Sequence, residues 1–469
     1  MLDLKEERAM SYTIKLVDFV VNSRKESMPE DVIEQSKKLI LDTIGCAIAG
    51  YCTKPGKQIV SFAKEFSGMR EASLFGDGST VSLPFACWAN STLANLLDMD
   101  DVFAGTAHQG NCLIPTAFGI GEARNLSGIE VIHSIVVGFE VGSRIGLYAW
   151  PSHKKAGTYF PSTWQVFDAV STAGKLLGFG QRELSNAFSL AGTVAPLPVD
   201  MKKFVEKPMG FGKNVFGWAT FTGVFWTLMA QKGLVGSKDI LDGDAGFWTM
   251  MGSDRHDFEK LVSGLGEQYN IMDTKFKPYP LCTWGHSSVD AAKGIFEENN
   301  IDAKDIDSVE VKTLKRAIDF ISNQKMETIF DAQFNLPHAI SMIALRKKPG
   351  AEWMTEDNMF NNPAAKAIAE KVKMVVDPLA EQVFLEENGL AIISNVEVKT
   401  VDGRIYQKKI KYSKGSPHNP LNTGELEEKF RILASSLFRE KRIDAIIETV
   451  GSLDELDNIS GLLMLLREE

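Results

Sequence analysis

The feature that most constrains this fold is a change of hydrophobic period partway along the chain. Over residues 12–21 and 29–49, apolar side chains return every three or four positions, as on one face of an amphipathic helix. The same spacing recurs over 57–66, 83–97, 128–147, 162–177, 183–191 and 216–230, and a further helix is expected to begin near Ile114. After about Met272 the pattern changes. SVEVKTL from Ser308, AIISNVEVKTVDG from Ala391 and RIYQKKIKY from Arg404 alternate apolar and polar residues, as half-buried antiparallel strands do. Helical stretches at 289–297 and 363–371 separate them, and helical spacing returns from Thr423. The expected fold is therefore mostly α with an α+β second domain. Residues 1–272 form a large helical domain, 273–420 an inserted α+β lid, and 421–469 helices that return to the helical domain. A chain of 469 residues is too long for one ordinary core, which suits this division.

The net charge of −10 disfavours nucleic acid or an anionic membrane as partner, while leaving room for a local basic pocket that takes an acidic small molecule. The five cysteines, Cys46, Cys52, Cys87, Cys112 and Cys282, are dispersed without a CxxC pair, so neither a structural zinc nor an iron–sulfur cluster is expected. They read as reduced thiols of a cytoplasmic protein. MLDLKEERAMSYTIKLVDFV carries both signs of charge and lacks the apolar core of a leader. VIHSIVVGF and GVFWTLMA are too short to cross a bilayer.

Titratable groups concentrate in residues 90–122, where an apolar helix runs into Asp98, Asp100 and Asp101, then through a glycine-containing loop to His108. Carboxylates just past a helix are commonly caps, and a lone histidine is usually structural. The density of groups between the apolar ANLL and LIPTAFGI runs makes a site an equal competitor. DMDD is not a calcium loop, because Phe103 and Gln109 stand where an EF-hand needs Gly and Glu. GFGKN is not a phosphate loop, since Lys207 occupies the place of the first Gly. Lys202, Lys203, Lys207 and Lys213 cluster among Gly and Pro, where backbone can approach a carboxylate ligand. Lys275 and Lys277 precede a stiff PYP turn, with His286 at the start of the next helix.

These residues sit in a larger set of motifs: LDTIGCAIAG, NLLDMDDVFAGTAHQGNCLIPTAFGIGEA, GFEVGSRIG, AGKLLGFG, FVEKPMGFGKNVFGWATFTG, KFKPYPLCTWGHSSVDAA, AQFNLPHAI, and HNPL followed by KF. Together, and in order over nearly the whole chain, they resemble the MmgE/PrpD family, which includes 2-methylcitrate dehydratase, cis-aconitate decarboxylase and iminodisuccinate epimerase. The resemblance implies a helical domain with an α+β lid, a homodimer, and a metal-free site in the cleft between them. It carries the family's Asp and His onto Asp98 and His108, and its two lysines onto Lys207 and Lys277. Two positions depart from it. Tyr159 stands where related enzymes carry a His, and His338 where they carry a Tyr, so the two types exchange places across the cleft.

The implied chemistry starts at a carbon next to a carboxylate. His108 is the expected base, oriented by Asp98; Lys207 and Lys277 hold the carboxylate as charge develops; Tyr159 or His338 is the acid. Lys203, Lys213, Lys275 and His286 are the expected substrate-binding residues. The leading expectation is a cofactor-independent dehydratase of a 2-methylcitrate-like acid. An iminodisuccinate-like epimerase, a cis-aconitate-like decarboxylase and a catalytically dead scaffold are the alternatives.

Overall fold

The computed structural model describes residues 11–468 apart from 67, 104–106, 150–157, 160, 197–198, 201–205, 212–214, 244–245, 252, 254–257 and 388–389. Lys202, Lys203 and Lys213 lie outside the described residues, as does the side chain of Tyr159.

The N-terminal part is a stack of helices: α1 (Tyr12–Asn22), α2 (Glu30–Tyr51), α3 (Lys54–Glu65), α4 (Leu83–Asn95), α5 (Gly110–Arg124), α6 (Gly128–Ala149), α7 (Val166–Leu176), α8 (Gln181–Thr193) and α9 (Phe216–Gln231). Ser11 starts α1 by accepting from the Ile14 N–H at 3.4 Å, and Asp242 receives the Tyr12 and Thr13 N–H groups at 2.7 and 3.0 Å. The small residues of LDTIGCAIAG are where α2 meets its neighbours. A Cβ on Gly50 would lie 2.2 Å from the Leu93 carbonyl oxygen of α4, so only glycine permits this approach. Helix α4 packs on α2, α5 and α9, and α6 on α7, enclosing a core in which α5 is buried over residues 110–121. On α6, Arg144 Nε meets Glu140 Oε2 one turn away at 3.3 Å.

Two-residue strands β1 (Ala72–Ser73) and β2 (Thr80–Val81) make a hairpin before α4, and β3 (Thr158–Tyr159) pairs with β4 (Val199–Asp200). The later part contains α10 (His286–Glu298), β5 (Ile306–Thr313), α11 (Leu336–Ala344), α12 (Pro363–Ala369), β6 (Val372–Val376), β7 (Ser394–Thr400) and β8 (Ile405–Ile410). The sheet order is β6-β5-β7-β8. The three expected strands pair antiparallel, with Val309 opposite Val398 and Val311 opposite Val396, and α10 packs on β7 and β8. The structure adds β6, which lies parallel to β5; its sequence continues a helical stretch without a hairpin signal, so alternation did not mark it.

Finally α13 (Thr423–Ala434), α14 (Glu440–Gly451) and α15 (Ser460–Leu465) follow. Helix α13 lies along α2, and the chain end bonds the first hairpin, Gly76 N–H donating to the Leu466 carbonyl at 2.9 Å. Among the described residues, no helix is long and apolar enough to cross a membrane. All five cysteines are free thiols.

Candidate active site

Helix α4 stops at Asn95, and the chain turns sharply through Asp98, which adopts a left-handed backbone (φ 51°). That conformation is uncommon outside glycine but tolerated by Asp and Asn, and it fans three nearby carboxylates in different directions. Asp101 faces the next helix. Its two oxygens accept from the Gln109 and Gly110 N–H groups at 3.1 and 2.9 Å, so it caps the start of α5.

Asp100 faces the imidazole. It lies 3.3 Å from His108 Nδ1 and also accepts from Asn95 Nδ2 at 2.9 Å and Asn111 Nδ2 at 2.9 Å. Asn95 Nδ2 also lies 3.5 Å from Nδ1, but the closer Asp100 carboxylate is an acceptor and favours the tautomer with the proton on Nδ1 and the lone pair on Nε2. His108 is buried, with Phe216 of α9 5.1 Å away between ring centroids, and its carbonyl accepts from Gln165 Nε2 at 2.7 Å. Burial holds its pKa below the ordinary histidine range, and the Lys277 charge adds to this, against the opposite pull of Asp100. The ring is therefore neutral at neutral pH.

Asp98 faces the lysine. Lys277 Nζ donates to Asp98 Oδ1 at 2.7 Å and lies 3.7 Å from Asp100 Oδ1, while His108 Nε2 sits 4.0 Å from the same Asp98 oxygen. The Lys277 side chain is 1% exposed. Burial alone would lower its pKa, but Asp98 and Asp100 outweigh that and hold it above the usual lysine value. The expected division of labour is thus rearranged: Asp100 orients His108, and Asp98 engages Lys277. Asp98, Asp100 and His108 each offer a ligand atom within 4.8 Å of the others, a spacing a cation could use, and the Lys277 ammonium lies among them.

The two chain segments meet backbone to backbone. Val102 N–H donates to the Lys275 carbonyl at 2.8 Å, and Lys275 N–H returns a bond to Val102 at 2.9 Å. Two residues from Lys277, Lys275 has a different environment: its Nζ meets Thr283 Oγ1 at 2.7 Å and Ser413 Oγ at 2.8 Å, and burial lowers its pKa to about 7.

Lys207 lies across from the segment between β5 and α11. Its Nζ is 3.3 Å from Asp331 Oδ1, and burial lowers its pKa despite that partner. Asp331 also accepts from the Met209 and Thr328 N–H groups at 2.7 and 2.9 Å. Two residues on, Gln333 Nε2 donates to the Leu96 carbonyl at 2.8 Å and so ties this segment to the turn before Asp98.

The other expected residues fall elsewhere. His286 is 0% exposed, with Nε2 bonded to the Leu281 carbonyl at 2.9 Å, an arrangement that braces the turn before α10 and presents no surface to a substrate. His338 bonds the Trp353 carbonyl at 3.0 Å through Nε2. It also lines a cavity of about 330 Å³ with Asn335, Asn358 and Lys366, to which Asp98, His108 and Lys277 contribute nothing. Tyr159 is described only as a strand residue paired with Val199.

A helical body and an α+β segment that together bury carboxylates, an imidazole and a lysine in one cluster define a two-part, helix-rich protein. The chain belongs to the MmgE/PrpD family: the profile of the MmgE/PrpD N-terminal domain matches residues 14–259, and that of the C-terminal domain residues 279–455. It is 24% identical to the cis-aconitate decarboxylase of Aspergillus terreus (strain NIH 2624 / FGSC A1156) over 97% of this chain and 95% of that protein. It is 22% identical to the cis-aconitate decarboxylase of Homo sapiens over 94% and 91%. It is 23% identical to the cis-aconitate decarboxylase-like protein oryM of Aspergillus oryzae (strain ATCC 42149 / RIB 40) over 97% of each.

Proposed function

We propose that this protein is a lyase acting on a small di- or tricarboxylate, and that it dehydrates a 2-methylcitrate-like acid after taking a proton from a carbon next to a carboxylate. The observation that carries the reading is that His108 Nε2 and the Lys277 ammonium lie 4.0 and 2.7 Å from the same oxygen of Asp98. In this reading the C–H electrons move into a new C=C bond as His108 takes the proton. Lys277 and Lys207 stabilise the charge that develops on the carboxylate, and hydroxide leaves from the neighbouring carbon as water. The proton for that hydroxide is assigned to Tyr159, because His338 already donates Nε2–H to the Trp353 carbonyl. The Lys275 amine, with its hydroxyl partners, serves substrate binding, as do Lys203 and Lys213.

A second reading, loss of carbon dioxide from a cis-aconitate-like acid, is favoured by the names of the relatives above. Epimerisation uses the same first proton transfer and differs in returning the proton.

We further propose a cytoplasmic homodimer that needs no metal. Free thiols at all five cysteines support a reducing compartment. The sequence of α9, FGWATFTGVFWTLMAQ, has no charge anywhere along it, yet Trp218 is 51% exposed and meets Trp88 at a tilt and Phe221 edge-on, with exposed Phe62 and Phe66 beside them. A helix apolar all round is one that another surface covers.

Proton NMR of the protein in deuterated buffer with citrate, 2-methylcitrate, cis-aconitate, malate and aspartate, with Lys207→Ala as control, tests the reaction. A new alkene signal that the control lacks supports dehydration. Deuterium in an unchanged skeleton selects the epimerase, and carbon dioxide the decarboxylase. Silence across the panel removes the carboxylate-lyase reading for these acids.

A further inference from the structure

Two motifs singled out in the sequence have no part in the chemistry above: LDTIG near the start of the chain and the KF pair near its end. In the fold they meet. Helix α13 lies along α2, and Phe430 fits where Gly45 has no side chain; a Cβ there would stand 2.9 Å from the ring. The preceding residue, Lys429, is thereby aimed inward. Its Nζ pairs with Asp42 of α2 and donates to the carbonyl of Met99 at 2.7 Å. Lys429, Asp42 and Met99 are all buried.

Met99 stands between Asp98 and Asp100. Its carbonyl belongs to the turn that opens with the left-handed Asp98 and sends one carboxylate to Lys277 and the next to His108. A peptide plane in such a turn can rotate unless something outside the loop holds it, and each rotation re-aims both flanking side chains. Backbone bonding fixes the far side of the loop, where Val102 pairs with Lys275, and Gln333 holds Leu96 on the near side. Between those points, a charged donor on a packed helix is a strong fixture for one carbonyl, because an ammonium bond to an oxygen in a dry setting is about twice as strong as a neutral one.

We infer that Lys429, set by Asp42 and by the Gly45–Phe430 contact, is a positioning residue for the active-site turn: it fixes the Met99 peptide so that Asp98 and Asp100 reach Lys277 and His108 together. The helices after the lid therefore complete the site as well as the fold. This rests on Asp98, Asp100, His108 and Lys277 being the working group.

Removing Lys429 alone leaves Asp42 charged and buried, so the test uses Lys429→Met/Asp42→Asn, which takes away both charges and keeps the volumes close. Nitrogen-15 histidine spectra at neutral pH report the His108 ring directly, its signals assigned by their loss in His108→Gln from a set of seven histidines. The expected result is a folded protein with a cooperative melt and displaced His108 nitrogen signals. On any acid that the wild type turns over, kcat falls by roughly 10- to 100-fold with KM changed less than about threefold. Lys429→Arg, which keeps a charged donor, restores part of the rate. His108 signals at their wild-type positions in the folded double variant would overturn the inference. Should the double variant not fold, Lys429→Gln, which keeps a neutral donor, is read by the same spectrum and the same criterion. If no acid in the panel is turned over, the spectrum still decides, so failure of the proposed reaction and failure of this inference stay separate.

Discussion

Replacing Lys277 by Met exposes the energetics of the site. At 2.7 Å from Asp98 and 3.7 Å from Asp100, the ammonium gains a gross attraction of about 10 kcal/mol at an effective dielectric of 20. Most of this is offset by the desolvation of three buried charges, several kcal/mol each, so the cluster contributes little net stability. Removing only the lysine is a different matter, because two carboxylates are left in a dry pocket without their cation. Breaking a buried pair in this way costs about 3–5 kcal/mol, against roughly 5–15 kcal/mol for the whole stability of an ordinary domain. The expected drop in melting temperature by calorimetry is roughly 5–10 °C. Lys277→Met/Asp98→Asn removes one of the stranded charges and recovers most of that loss, yet neither variant turns over substrate. A Lys277→Met protein that melts within about 1 °C of wild type would falsify the account of the cluster as a charge-compensated unit. Recovery of activity in the double variant would remove Lys277 from the chemistry.

Other outcomes follow from the same geometry. Burial lowers the His108 pKa, so the base stays unprotonated below the ordinary histidine value, and the acidic limb of the kcat/KM profile falls at a pH below about 6.5; a limb above 6.5 contradicts this. The linked stability has the same direction: as pH falls through 6.5 the unfolded chain takes up a proton that the folded ring resists, and the fold loses stability in acid until the folded pKa is passed. Asp100→Asn turns the acceptor at Nδ1 into an amide, and kcat should fall about 10²- to 10⁴-fold with the melt nearly unchanged, as for other histidines deprived of their orienting carboxylate; a kcat within threefold of wild type rejects the orienting role. If the proposed dimer forms through the aromatic face of α9, Trp218→Glu puts a charge in it, and light scattering should show dimers for the wild type and monomers for the variant at micromolar concentration; a wild-type monomer rejects the proposal.

The sequence was informative wherever one chain segment decided the outcome alone. Period carried the helices, because a side chain that recurs every three or four positions has one buried face whatever it packs on. Alternation likewise carried β5, β7 and β8, but not β6, whose pairing with β5 is parallel and set by a distant partner. In the site, Asp98, His108 and Lys277 could be picked out by type and motif, and the structure brings them together. Which carboxylate serves which partner could not be read, since it depends on the left-handed φ of Asp98, and residue type alone does not tell which aspartate of the run adopts it. Asp331 and Lys207, 124 residues apart, meet only through tertiary folding, and no local pattern links them. His286 and His338 show the opposite effect: a histidine beside a motif draws notice, and here backbone carbonyls hold both rings.

The reciprocal bonds between Val102 and Lys275 involve peptide groups only, and they join the stretch of chain that bears His108 to the one that bears Lys277. A seam of that kind is blind to side-chain identity. Residues around it can be exchanged over evolutionary time while the distance between the imidazole and the ammonium is inherited unchanged. On the proposed reading, a different acid is accommodated by exchanging side chains around the seam, with His108 and Lys277 left where they are.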